Sequence, residues 1–155
     1  MRSTVYFTRD LSSQAMLRLY GALGVQLPGK VAVKIHSGEP GNQNFIRPDF
    51  MKPMIDHVGG TIVECNTAYD GGRNTTHAHK ITMERHGWLD AAQVDILDET
   101  DEIQLDIPGG KVIKKNFVGA HLADYDSLLV LSHFKGHPMG GFGGAIKNIS
   151  IGIAS

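Results

Sequence analysis

The chain has 155 residues with 15 basic and 16 acidic side chains, which give a formal net charge of −1. This length suits one domain with a sizeable core, and the balanced charge does not favour a nucleic-acid or membrane-surface partner. A single cysteine, Cys65, excludes a disulfide framework and any cluster ligated only by cysteines of this chain. The first ten residues hold no apolar secretory core and no run of 18 apolar residues occurs, so we expect a cytoplasmic protein.

The first part of the chain predicts a strand, a helix and a second strand. Residues 3–8 alternate between apolar and polar side chains, as a strand does. Asp10 or Ser13 can cap a helix that stops at Gly24. The apolar run 31–35 then predicts the second strand.

The middle of the chain continues the alternation of helices and strands. A helix is predicted over residues 48–57, although Pro53 inside it favours a kink. The third strand covers residues 61–65. A third helix begins near residues 74–76 and ends before Gly87.

The rest of the chain predicts one hairpin and two further strands. Residues 94–97 form a short strand, and residues 102–107 pair with 111–117 across a Pro-Gly-Gly turn. After a short helix near 120–124, residues 127–131 are the most apolar strand, typical of one buried on both faces of a parallel sheet. We predict one α/β domain over residues 1–155, three-layered, with a mostly parallel sheet, helices on both faces and one β-hairpin.

Polar or glycine-rich loops follow three of the predicted strands, at residues 36–42, 66–74 and 133–148. Ligands of parallel α/β sheets bind outside the carboxyl ends of the strands. Glycine is also enriched, with 19 residues, which permits close approach of a ligand to the main chain. The sequence therefore predicts a loop-built ligand or metal site at one edge of the sheet.

Five histidines of these loops are candidate metal ligands. Zinc, nickel and iron sites use neutral imidazoles, so His36, His133 and His137 are the main candidates. His77 and His79 are weaker candidates because two residues apart on a helix they point in different directions. The alternative is that these histidines serve in acid–base chemistry or in structure, without metal.

Three lysines and the glycine-rich segment 140–148 predict an anion site. Lys34 stands inside an apolar strand, so it must reach the strand end, pair with an acid or meet an anion, unless its strand is an edge strand facing solvent. The segment matches neither the Walker A loop nor the dinucleotide fingerprint, so it forms either an anion-binding nest or a tight structural turn. The predicted ligand-binding residues are Lys34, Lys135, Gly140, Gly141, Gly143, Gly144, Lys147 and Asn148.

The segments 31–60, 64–80 and 131–152 resemble, in this order, the uncharacterised iron–sulfur-centre protein family defined by domain of unknown function 362. The resemblance implies that the chain is the N-terminal half of a larger protein. It also implies a [4Fe–4S] cluster, but only in a missing C-terminal part, since no Cys-x-x-Cys motif occurs here. A second likeness, of the glycine-rich stretch before Lys147 to nickel-pincer lactate racemases, is too short to transfer chemistry.

Three functions follow as hypotheses. The first is a redox-associated domain that handles a divalent metal or another cofactor. The second is a metal-free enzyme acting on a small anionic substrate. The third is an interaction module whose partner is a second copy of the chain or the missing C-terminal half.

Overall fold

Four short parallel strands form the centre of the computed structural model, which describes residues 3–155. In chain order the elements are α1 (Ser13–Leu23), β1 (Val31–Lys34), α2 (Pro48–Val58), β2 (Thr61–Glu64), α3 (Thr76–Arg85), α4 (Trp88–Ala91), β3 (Val94–Ile96), β4 (Glu102–Asp106), β5 (Lys115–Gly119), a 3₁₀ helix (Ala120–Asp124), β6 (Ser127–Val130), β7 (Lys135–His137), β8 (Gly141–Gly143) and α5 (Ala145–Gly152).

The strand order of the central sheet is β3-β2-β1-β6, with all neighbours parallel. The chain builds outward from β1 through β2 to β3 and then returns to the other side of β1. The carboxyl ends of β1 and β6 therefore flank the point where the order of strands reverses, which is where ligands of open α/β sheets bind.

Each face of the sheet buries a separate apolar cluster. On one face, Val33 and Ile62 pack against side chains of α2, α3 and α4, including the fully buried Trp88. On the other face, Val63 packs with Ile153, beside the hairpin β4–β5, the 3₁₀ helix and α5. The predicted three-layer α/β fold is confirmed, with a second hairpin, β7–β8, that the sequence did not predict.

Local sequence signals set the helix ends. Ser12, rather than the predicted Asp10 or Ser13, caps α1 by accepting a hydrogen bond from the Ala15 N–H at 3.1 Å. Gly24 ends the same helix in the left-handed region, as predicted, where a side chain is disfavoured. Pro53 lies within α2, and the helix nevertheless continues to Val58.

Two predictions about strands are wrong. Residues 3–8 form no strand and stay largely exposed. Alternating apolar and polar side chains suit a strand, but a strand is stable only beside a neighbour with which it pairs. The apolar strand β6 lies at the edge of the sheet and is only partly buried. Its apolar composition was therefore a poor guide to burial on both faces. The predicted hairpin is confirmed, with Glu102 opposite Gly119 and a longer turn than expected.

None of the helices within residues 3–155 has the length and apolar character needed to cross a membrane.

Candidate functional site

A cavity of about 760 Å³ lies at the carboxyl ends of β1, β2 and β6. Its wall comes from the ends of these strands, from the loop after β2 and from β7, β8 and α5. The predicted site residues that line it are Lys34, His36, His133, Lys135, His137, Gly143, Gly144, Lys147 and Asn148. The structure thus brings together most of the predicted set, at the edge of the sheet where the loops were expected to meet.

The other four predicted residues lie outside the lining of this cavity. Gly140 lies in the turn of the hairpin β7–β8, where His137 Nδ1 accepts the Gly140 N–H at 3.1 Å, and Gly141 is the first residue of β8. His77 is exposed on α3, and His79, two residues on, is fully buried. The glycine-rich segment therefore builds a hairpin and the start of α5, which agrees with its alternative as a structural turn.

Lys34 and Glu64 form a buried ion pair at the floor of the cavity. The Lys34 ammonium donates to Glu64 Oε2 at 2.7 Å, to Asn148 Oδ1 at 2.8 Å and to the Ile35 carbonyl at 2.5 Å. The two side chains are 1% and 3% exposed. Of the alternatives for Lys34, pairing with an acid is observed, and the edge-strand alternative is wrong because β1 is central.

Glu64 remains ionised in this pair although it is buried. Burial alone would raise the pKa of Glu64, but the charges of Lys34 and Arg73 outweigh it and lower that pKa to about 2. Its second oxygen accepts the Ser37 N–H at 2.6 Å, which fixes the start of the loop after β1. The floor of the site is therefore a rigid, charged and fully hydrogen-bonded unit.

Asn148 carries a buried, unpartnered donor at the edge of the cavity floor because of this pair. Its Oδ1 accepts from Lys34, so its Nδ2 points the other way, and Nδ2 finds no hydrogen-bond partner in the described part of the chain although it is buried. His133 Nδ1 is buried and equally without a partner among residues 3–155. Buried polar atoms are rarely left unsatisfied, and a bound ligand is one of the ordinary explanations.

Two cations of the wall carry no internal counter-charge. Lys135 comes from β7 and Lys147 from α5, and neither forms a salt bridge within residues 3–155. The Lys147 chain lies against the hairpin, since a Cβ placed on Gly143 would sit 3.0 Å from Lys147 Cδ. Glycine at this position therefore leaves room for the lysine beside the cavity.

His36 supplies a neutral imidazole to the same wall. Burial lowers its pKa to about 4, the charge of Glu64 opposes this, and the charges of Arg73 and Lys135 add to the lowering. At neutral pH this ring can accept a proton or bind a metal without first losing one. His36, His133 and His137 share the lining, yet no group of three His, Cys, Asp or Glu residues within 3–155 is arranged to hold a metal ion. Metal binding by these histidines stays a prediction.

His79 belongs to a buried network behind the cavity. Its Nε2 lies 3.4 Å from Ser37 Oγ and its Nδ1 lies 3.4 Å from Asn66 Oδ1. Burial lowers the pKa of His79 to about 4, against the opposing charge of Glu64. His79 therefore supports the loops that form the site, from a position behind them.

Several residues of the wall were not predicted from the sequence, among them Glu39, Tyr69 and Arg73. Arg73 Nε donates to Glu39 Oε2 at 3.2 Å, Arg73 Nη2 donates to Glu39 Oε1, and the Tyr69 hydroxyl donates to the same Oε1 at 3.0 Å. All three lie in the predicted loops 36–42 and 66–74. Their position after the strands was the available signal, since no spacing motif marks them.

A family model described as "Domain of unknown function (DUF362)" matches residues 31–155. No curated protein and no solved structure matches the chain. The match begins at the first residue of β1 and covers every strand and every wall residue described above. The chain therefore belongs to the family defined by this domain of unknown function.

Proposed function

We propose that the cavity binds a small anionic ligand, with Lys135 and Lys147 as the cations that attract it. The observation that carries the proposal is the pair of buried, unpartnered polar atoms, Asn148 Nδ2 and His133 Nδ1, in the wall that also contains both lysines. An amide N–H donates to the acceptor oxygens of a carboxylate or phosphate, and an imidazole nitrogen does so in the tautomer in which it carries the proton. The volume of about 760 Å³ is in the range of sites for small molecules.

The Lys34–Glu64 pair supports this function indirectly. Because Lys34 uses its three N–H groups on Glu64, Asn148 and the Ile35 carbonyl, its role here is to orient the Asn148 amide. Direct binding of the ligand by Lys34, which the sequence predicts, stays a prediction. His36 lies in the same wall and stays neutral at neutral pH, so it adds a hydrogen-bonding imidazole to the site without adding charge.

Replacing Lys147 by alanine should weaken binding of inorganic phosphate or butyrate at least about tenfold, since a charge-assisted hydrogen bond is worth roughly 1.5–3 kcal/mol. The measurement is the rise in melting temperature on adding each anion to the wild type and to the variant. Lys111→Ala is the matched control, because Lys111 is exposed and is not part of the cavity wall. A melting shift that survives in Lys147→Ala would remove this lysine from the site.

The second candidate is the handling of a divalent metal or other cofactor in redox chemistry. It is favoured by the shared position of His36, His133 and His137 in one wall and by the neutral state of His36. Metal analysis of protein purified without a histidine tag tests it, together with thermal shifts on adding zinc, nickel or iron. No bound metal and no shift would count against it. The [4Fe–4S] cluster implied by the family resemblance has no residue here to which it can be assigned.

An interaction role also has support from the structure. Large apolar side chains are exposed around β7, β8 and α5: Phe134, Met139, Phe142, Ile146 and Ile151 are between 58% and 94% exposed. Contiguous apolar surface of this kind is typical of interaction sites. A second copy of the chain or a C-terminal part remains our prediction for the partner.

A further inference from the structure

The contact between Arg73 and Glu39 has the geometry with which proteins bind the carboxylate of a ligand. Two guanidinium nitrogens of Arg73 donate to the two oxygens of Glu39, and the Tyr69 hydroxyl adds a third hydrogen bond to that carboxylate. Planar two-point binding of this kind is the reason arginine is favoured where carboxylates are recognised. Here the protein itself supplies the carboxylate, inside the wall of the cavity.

The two partners of this contact are held very differently. The Arg73 side chain is 6% exposed, and the Arg73 carbonyl accepts the Thr67 N–H at 2.8 Å, so the side chain is buried in the wall and its backbone is held in place. The Glu39 side chain is 38% exposed, and the hydrogen bonds found for its carboxylate are those from Arg73 and Tyr69. Burial alone would raise the pKa of Glu39, but Arg73 lowers it overall, so the carboxylate is charged. Glu39 is therefore the exchangeable partner.

Arg73 and the lysines act on the same space. The charges of Arg73 and Lys135 both lower the pKa of His36, so the ring lies within electrostatic reach of both cations. All three residues, with Lys147, line the single cavity of about 760 Å³. A ligand bound through one anionic group at Lys135 and Lys147 therefore has a second cationic group of the wall available to it.

We propose that Arg73 is a second anion subsite, which Glu39 occupies when no ligand is bound, and that the ligand is a small dicarboxylate. One carboxylate of the ligand binds at Lys135 and Lys147, and the other displaces Glu39 from Arg73. This inference rests on the proposed anion-binding function, because it concerns the second carboxylate of a ligand whose first carboxylate binds at Lys135 and Lys147. Glu39 then determines specificity. Its displacement costs the ion pair with Arg73, and only a ligand with a second carboxylate replaces that ion pair.

The test compares succinate, glutarate and adipate with butyrate by isothermal titration calorimetry on the whole chain. The quantity measured is the ratio of dicarboxylate affinity to butyrate affinity. In Glu39→Gln the ratio should rise about tenfold for the best dicarboxylate, because Arg73 no longer has to exchange a charged partner. In Arg73→Gln the ratio should fall to about one, with butyrate binding kept.

Two further variants make the result specific. Asp98→Asn removes a negative charge from the same wall without freeing Arg73, so it should raise both affinities and, because a dicarboxylate carries twice the charge of butyrate, raise the ratio by much less than Glu39→Gln does. Tyr69→Phe removes one hydrogen bond from Glu39 and should raise the ratio slightly, which keeps the test usable if Glu39→Gln is unstable. A ratio that rises equally in Asp98→Asn and Glu39→Gln would overturn the subsite.

The outcomes separate this inference from the proposed function. If butyrate binds, Lys147→Ala abolishes that binding and dicarboxylates show no advantage in any variant, the Arg73 subsite is refuted while the anion site stands. If neither inorganic phosphate, butyrate nor any dicarboxylate binds the wild type, both are refuted. If dicarboxylates bind better than butyrate and Arg73→Gln removes the difference, both are supported.

Discussion

Replacing Lys34 by methionine should lower the free energy of unfolding by about 3–5 kcal/mol, a large part of the stability of a typical domain. Methionine fills much of the same volume but leaves the Glu64 carboxylate buried without its cation, next to an Asn148 amide that has lost its donor. An uncompensated buried charge is the costly part of this change. Urea denaturation followed by circular dichroism measures the loss.

The control for this substitution is an ion pair of the same chemistry at the surface. Lys80 donates to Glu99 at 2.8 Å, with the two side chains 41% and 38% exposed, so Lys80→Met should cost less than about 1 kcal/mol. The double variant Lys34→Met with Glu64→Gln should recover much of the loss, since the carboxylate that would lack its lysine is then gone as well. Equal costs for Lys34→Met and Lys80→Met would contradict the role of the buried pair.

The free energy of unfolding should fall as the pH is lowered from about 6.5 to about 4, before general acid unfolding. His36 and His79 have pKa values of about 4 in the folded protein, below the usual 6.5, chiefly because they are buried. Between these values the unfolded chain binds protons that the folded chain does not, so acid favours unfolding. For His79 the full effect is roughly 3 kcal/mol. Glu64, with its pKa lowered from 4.5 to about 2, adds a further loss below pH 4.5.

The test is the slope of the free energy of unfolding against pH. It is measured by urea denaturation at several pH values between about 4 and about 6.5. His79→Gln removes one titrating group, so its stability should depend less on pH than that of the wild type, whatever its absolute stability. His57→Gln is the matched control for the exchange of histidine for glutamine, because His57 is exposed near the end of α2. An unaltered slope in His79→Gln would show that this histidine does not stay neutral in the folded state.

Strands and helices with strong local signals were predictable, whereas strand partners were not. The apolar run that contains β1 and the glycine after α1 mark their elements by composition alone. The position of β6 depends on pairing with β1, and nothing in its own residues states whether a further strand lies beyond it. Residues 3–8 show the same limit, since their alternation suits a sheet that offers them no neighbour.

The location of the candidate site was predictable, but its internal connections were only partly so. Loops after parallel strands meet at one edge, which placed His36, Lys135 and Lys147 in one wall. The acid that pairs with Lys34 is Glu64, the last residue of the neighbouring strand, just beyond the register partner Val63. Finding it requires the strand order, which becomes known only from the folded chain.

The strand order also constrains when the site can form during folding. Val31 of the central strand pairs with Ser127, and the Lys34–Asn148 contact spans 114 residues of sequence. Contacts between such distant segments make folding slow, since long loops must close before any contact compensates their entropy. During synthesis, β1 and β2 can pair early, but the floor of the cavity is completed only after α5 has been made. Until β6 has also been made, one edge of β1 stays unpaired, and unpaired strand edges make a nascent chain prone to misassembly.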